Sequence, residues 1–224
     1  MSHETFNIWH CSDKSPTWNM AADELLLRQS NLIGQAVLRL YSWNQSASSF
    51  GYFQRYAEVS LWTELRPIIR RPTAGGLVRH DEHEWTYSLT FPSDHPWWQL
   101  KAEISYQRVH NWIRRAFDRC GVVTKLCSEV ITEGPGQCFI GAEKNDLIFR
   151  GKKIAGAAQR RNRDGLLIQG SIQAKDTGIK RSCWESAMLK EIEWEEWKPI
   201  EAFFKGIASL AEQKYESENH NQRR

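Results

Sequence analysis

Cys138 and Lys153 are the two residues of this 224-residue sequence whose types and spacing point most directly to covalent chemistry. The cysteine lies in Gln137-Cys138-Phe139. The lysine follows fifteen residues later in Gly151-Lys152-Lys153-Ile154-Ala155-Gly156-Ala157-Ala158-Gln159-Arg160. A thiolate is a nucleophile and an ammonium stabilises an oxyanion, so such a pair could attack a carbonyl, hold its acyl group and pass it on. A third segment, Arg70-Arg71-Pro72-Thr73-Ala74-Gly75-Gly76, supplies guanidinium groups and glycines whose N–H groups can approach an oxyanion or phosphate closely. His80 and Asp81, just after it, could serve as a base and its orienting partner.

Each motif also has a plainer reading. On a regular strand Lys153, Ala155, Ala157 and Gln159 share one face, and Lys152, Ile154, Gly156 and Ala158 the other. Small residues there leave room for a slender acyl chain with Lys153 at its carbonyl end. The same pattern would equally pack against a helix while Lys153 reached water. Cys138 follows Gly134-Pro135-Gly136, a loop signal, where it could be a nucleophile or a small buried hydrophobe. The hydrophobe reading is the expectation for Cys11, Cys120, Cys127 and Cys183. Gly75-Gly76 alone would also make a tight turn.

The elements that must position these residues can be read from periodicity. Residues 5–10 and 36–42 predict strands, and 48–53 another interrupted by Gly51. Thr17 can cap a helix starting near Trp18. Short strands are expected at 68–71 and 86–91, flanking the arginine–glycine loop. Val109, Trp112, Ile113, Ala116, Phe117 and Cys120 recur at helical spacing, closed by Gly121. Strands at 146–149 and 152–160 are joined by Arg150-Gly151, a two-residue hairpin signal, and a strand at 166–173 follows the turn at Arg163-Asp164-Gly165. A helix over 197–213 and a frayed polar tail complete the pattern. Hairpins mixed with helices, without regular alternation, predict an α+β fold.

Composition narrows the function. Hydrophobic residues make up 41%, enough for a real core. A net charge of +3 argues against a general nucleic-acid binder, although Arg66, Arg70, Arg71 and Arg79 cluster at one motif and Lys152, Lys153, Arg160, Arg161 and Arg163 at the other. If the motifs meet, the cleft mouth is basic and suits acidic partners. Five cysteines without a Cys-x-x-Cys argue against a disulfide framework or zinc knuckle, and the seven scattered histidines form no metal-binding set. The start, Met-Ser-His-Glu-Thr-Phe, lacks the pattern of a signal peptide, and no run of about eighteen apolar residues predicts a membrane span. A reducing cytoplasm is the expected compartment.

Four segments, at residues 19–24, 49–54, 70–88 and 153–172, resemble in order the lipoate–protein ligase A and B superfamily, which also contains biotin protein ligases. Cys138-Phe139, Gly151-Lys152-Lys153-Ile154, Ala158-Gln159-Arg160-Arg161 and Gly170-Ser171-Ile172 are most similar to its cysteine-dependent octanoyltransferases. The resemblance implies mixed β-sheets flanked by helices, with residues 1–213 as one biotin/lipoate ligase-like catalytic domain and 214–224 as a tail. It implies Cys138 and Lys153 as catalytic residues. Arg71, Thr73, Gly75, Gly76, His80, Ala155, Gly156, Ala157, Gln169 and Gly170 would bind substrate. Octanoyl, or lipoyl, would pass from acyl carrier protein to Cys138. It would then pass to a lysine of a lipoyl-domain protein, such as the glycine cleavage H protein or a 2-oxoacid dehydrogenase E2. A monomer without cofactor, nucleic acid or membrane is expected.

The alternative within this family is ATP-dependent ligation with magnesium, in which Lys153 bridges a carboxylate and the nucleotide α-phosphate and Cys138 is incidental. The bacterial ligases often carry a small accessory domain, which this chain does not continue into, and that favours the transferase. A non-catalytic acyl-binding module is a third reading. It is motivated by two departures from the family pattern: Ala74 in place of a first loop glycine, and Gln169 where a histidine commonly precedes the Gly-Ser pair. An alanine at Ala74 would be strained if that position needs positive φ.

Overall fold

The structure is a computed structural model that describes residues 5–131 and 136–223. The first four residues, and Gly134-Pro135 of the expected loop, lie outside the described residues. In chain order, β1 (Thr5–Lys14) leads into α1 (Pro16–Ile33), β2 (Val37–Trp43), β3 (Ala47–Phe50), the short α2 (Tyr56–Val59) and β4 (Ile68–Arg70). Next come β5 (Val78–His80), β6 (Glu84–Pro92), α3 (Pro96–Gln99), α4 (Ala102–Arg119), β7 (Lys125–Leu126) and β8 (Leu147–Phe149). Last are β9 (Lys152–Asn162), β10 (Gly165–Gln173), α5 (Arg181–Leu189), β11 (Glu193–Glu196), α6 (Glu201–Leu210) and α7 (Glu218–Gln222).

Two mixed sheets result, as the α+β reading expects. The large one has strand order β11-β1-β2-β6-β10-β9-β8-β7, and the small one β4-β3-β5. β11, β1 and β2 run parallel, and the other pairs of the large sheet are antiparallel. Alternation along β2 divides two cores. Leu38 and Leu40 meet the apolar stripe Val109, Trp112, Ile113 and Phe117 of α4, together with Trp184 of α5. Val37 and Tyr41 face Met20 and Leu26 of α1 and Phe203 and Ile207 of α6. Each large apolar side chain so buried contributes about 1.5–3 kcal/mol.

Several boundaries differ from expectation. The cap of α1 is Ser15, not Thr17: Ser15 Oγ accepts from Trp18 N at 3.2 Å, and Pro16 fits the first helical position, where no N–H is needed. β3 stops at Phe50, because Gly51 begins a turn closed by Gln54 N donating to Gly51 O at 3.0 Å. The C-terminal helix starts at Glu201 rather than 197, since 193–196 pairs with β1 as an edge strand whose acidic side chains hide its strand character. The expected frayed tail is instead docked. Asn221 is buried, its Oδ1 accepts from Arg70 N at 3.0 Å, and its Nδ2 donates to Tyr215 O at 2.8 Å. The Arg70 guanidinium donates to the carbonyls of Tyr52, Gln54, His220, Asn221 and Arg223.

Candidate active site

Lys153 owes its position to an irregularity at the β8–β9 hairpin. Arg150 and Gly151 both take left-handed backbone (φ 49° and 81°), the two-residue turn the sequence predicts. Pairing then slips: Ile148 faces Lys153, but Leu147 faces Ala155, so β9 carries one extra residue. Such a bulge reverses the alternation of side chains. Ile154 and Ala155 both enter the α4-side core, and Lys153 turns to the side of Gly156. A Cβ on Gly156 would lie 2.7 Å from Lys153 Cε and 2.9 Å from its Nζ.

The face expected to join Lys153 with Ala155 and Ala157 is therefore broken. Beyond the bulge Gln159 Nε2 donates to Ala102 O at 3.0 Å, so that side of β9 packs on α4. Nor does Lys153 extend into bulk solvent. Its side chain is 7% exposed, and Nζ pairs with Asp146 Oδ2 at 2.7 Å and lies 5.2 Å from the centre of the Phe139 ring. Asp146 was not anticipated from sequence. Burial raises its carboxyl pKa, opposed by Lys153 and by the Glu143 N–H that donates at 2.7 Å.

The cysteine loop is pinned to the arginine–glycine loop. Leu77 N donates to Gly136 O at 2.8 Å, and Cys138 N donates to Leu77 O at 3.0 Å. Gly75 has φ +88°, and a Cβ there would fall 2.7 Å from Arg71 Nη2 and 3.8 Å from Cys138 Sγ, so only glycine lets these groups meet. The left-handed position is Gly75 and not Ala74, which is unstrained. Arg71 is buried rather than at the cleft mouth. Burial lowers the pKa of its guanidinium, and the adjacent Cys138 thiol acts in the opposite direction. Its Nη2 donates to Ala74 O at 2.5 Å and its Nη1 to Ser49 O at 3.3 Å. Arg160 Nη1 donates to Pro72 O at 3.3 Å, which joins the two basic motifs.

Cys138 borders two cavities. One is narrow, about 40 Å³, mostly apolar, and lies between the two sheets beside Met20, Val78, Phe139, Gly156 and Ala158. The other is about 340 Å³ and is lined by Gly75, Gly76, Tyr106, Asp146 and Lys153. None of the other four cysteines lines either cavity. Of the expected binding residues, Arg71, His80, Gln169 and Gly170 also line the narrow cavity, and Ala157 lines both. Two do not belong there. Ala155 is in the core because of the bulge, and Thr73 is fully buried and lines neither cavity.

Thr73 instead joins a buried network. Its Oγ1 donates to Gln169 Oε1 at 2.7 Å, and Gln169 Nε2 donates to Asp23 Oδ2 at 2.7 Å. Asp23 also accepts from Arg39 (2.7 Å), Ser88 (2.7 Å) and Tyr41 (2.9 Å). Burial and Asp23 push the Tyr41 pKa well up. The His80–Asp81 pairing is also corrected. Asp81 accepts from His83 N at the surface, whereas His80 Nε2 lies 2.8 Å from Ser49 Oγ, its Nδ1 lies 3.2 Å from Glu84, and its ring stacks on Trp43. Among the described residues no group of three or more His, Cys, Asp or Glu side chains is placed to hold a metal ion. No described helix is long and apolar enough to cross a membrane.

A sequence profile of the lipoyl protein ligase A/B catalytic domain matches residues 15–181. The octanoyltransferase LipM of Staphylococcus aureus is 31% identical over 185 residues, covering 75% of this chain and 66% of that protein. LipM of Bacillus subtilis is 30% identical, covering 77% and 66%. The chain thus spans just under two thirds of the length of these curated relatives. Among solved structures, a lipoate protein ligase of T. acidophilum superposes with TM-score 0.80 at 18% identity, covering 97% of this chain and 99% of that one. A lipoate-protein ligase A bound with ATP gives 0.80 at 17% identity, covering 98% of each.

Proposed function

The chain belongs to the lipoyl protein ligase A/B catalytic-domain family, and from that premise we propose that it is an octanoyltransferase of protein lipoylation working through a thioester on Cys138. The observation that carries the reading is the place of Cys138 at the boundary of a narrow apolar cavity and a wider one. A fatty chain would enter the first, which must widen to seat eight carbons, and the group that brings or receives it would occupy the second. The LipM relatives, named as octanoyltransferases, support the same reading.

In the first half-reaction the Cys138 thiolate adds to the carbonyl of octanoyl-acyl carrier protein. The Lys153 ammonium and loop N–H groups stabilise the oxyanion, which collapses to the acyl-cysteine and releases the carrier thiol with a proton. In the second, a neutral lysine amine of a lipoyl-domain protein, such as an E2 or H protein, adds to the same carbonyl. It expels the Cys138 thiolate, loses a proton and becomes an amide. Arg71 lines the narrow cavity together with Cys138, so negative charge developing on sulfur would have a guanidinium nearby in both. No nucleotide enters this sequence.

Intact-mass measurement after mixing with octanoyl-acyl carrier protein, without nucleotide, tests it. One octanoyl group should appear, be released by hydroxylamine and be absent in Cys138→Ala. Labelling of a lipoyl domain from free octanoate with Mg-ATP, undiminished in Cys138→Ala, would establish ligation instead.

A further inference from the structure

We propose that Gln169 is a positioning residue for Cys138, acting through Thr73 and Arg71 along a buried hydrogen-bond chain that begins at Asp23. The inference rests on Cys138 being the nucleophile. Its strength lies in the direction of each link. Asp23 is completely buried and pairs with Arg39 at 2.7 Å, so its carboxylate can only accept. Gln169 must therefore turn its NH₂ toward Asp23 and its Oε1 toward Thr73. The one hydroxyl proton of Thr73 is then committed to Gln169, which leaves lone pairs for Arg71 Nε at 3.2 Å. That same Nε–H is shared with Ala74 O at 3.1 Å, the Ala74 and Ser49 carbonyls also accept from Nη2 and Nη1, and the guanidinium so held lines the narrow cavity together with Cys138.

From Asp23 to Thr73 every donor and acceptor thus has one allowed orientation, set by a buried charge rather than by free rotation, and Thr73 then shares the Arg71 Nε–H with Ala74 O. All members are buried: Asp23 and Thr73 are 0% exposed, Arg71 4% and Gln169 6%. A glutamine keeps the same polarity at every pH. An apolar side chain breaks the chain. A histidine can restore it as a neutral tautomer that donates to Asp23 and accepts from Thr73.

The test uses alkylation, which needs no acyl donor and so stands apart from the transferase reading. The full chain is treated with iodoacetamide at neutral pH and the adducts at Cys138 and at the exposed Cys183 are followed by mass spectrometry. Gln169→Leu and the isosteric Thr73→Val should each slow Cys138 alkylation roughly tenfold, the size of one lost charge-assisted hydrogen bond, with Cys183 unaffected. The double variant should be no slower than either single one, because both cut the same chain. Gln169→His should recover most of the rate. Folded Thr73→Val or Gln169→Leu protein alkylated at the wild-type rate would overturn the proposal, as would additive losses in the double variant. If Gln169→Leu does not fold, Thr73→Val decides alone.

Discussion

Lys153 and Asp146 are an ion pair with almost no access to water, and that fixes what their removal does. Lys153→Met leaves a buried carboxylate unpaired and should cost about 3–5 kcal/mol in denaturant unfolding, together with transfer activity. Adding Asp146→Asn should return most of the stability but none of the transfer, which separates the structural role of the lysine from the chemical one proposed for it. Two glycines provide a second contrast. A methyl group on Gly156 meets the flexible end of Lys153, so Gly156→Ala should keep the fold and lose activity by displacing the ammonium. A Cβ on Gly170 would lie far inside contact distance of Tyr87 Cζ and its hydroxyl oxygen, and that side chain is fully buried, so Gly170→Ala should destabilise by about 1–3 kcal/mol in thermal unfolding. Cys138, Lys153, Gly75 and Arg71 were legible as a candidate site because their types are rare in such company. Asp146 was not. It reads as the first residue of the strand expected at 146–149, with nothing to mark it as a partner for the lysine, and only the fold brings its carboxylate to Lys153.

Elements show where reading by pattern succeeds and where it stops. α4 was plain from its apolar stripe, and the β8–β9 hairpin from Arg150-Gly151, because both signals are local. The bulge in β9 leaves no mark in composition, yet by adding one residue it moves Lys153 to the site and Ala155 to the core. α7 was hidden for another reason. It is too polar to look packed, and its attachment is a set of hydrogen bonds to Arg70, about 150 positions earlier in the chain. Asn221→Ala removes the acceptor for the buried Arg70 N–H and should cost about 1–3 kcal/mol in urea unfolding. Asn221→Asp keeps an oxygen there and should lose less. Because Gln54 both accepts from Gly51 N and donates to Gly136 O, the same change should loosen the approach to Cys138.

The whole molecule should be weak to acid, in two stages. His110 is completely buried, and burial, then the Lys153 charge, lower its pKa from 6.5 to about 3. The fold favours neutral imidazole, so this stabilisation is complete above pH 6.5 and declines as the pH falls toward 3, by about 2 kcal/mol at pH 5. For Glu24, burial alone would raise the pKa, but Lys214, Tyr215 and Arg28 outweigh it and hold it at about 2. Its stabilisation is present above 4.5 and lost between 4.5 and 2. His220, half-buried and lowered by burial and Lys214 to about 4, adds a smaller loss over the same range, so the urea midpoint should drop between pH 6.5 and 5 in the wild type and by less in His110→Leu, while both fall below 4.5. The division of space around Cys138 reaches further. If Cys138 carries the acyl group as proposed, its sulfur in the wall between a small chamber and a large one would let cargo and courier part without the cargo moving. The fatty chain would keep its seat while one protein leaves and the next arrives, so donor and acceptor need never meet on the enzyme. Double-reciprocal rate lines, taken at several fixed levels of either partner, would then run parallel.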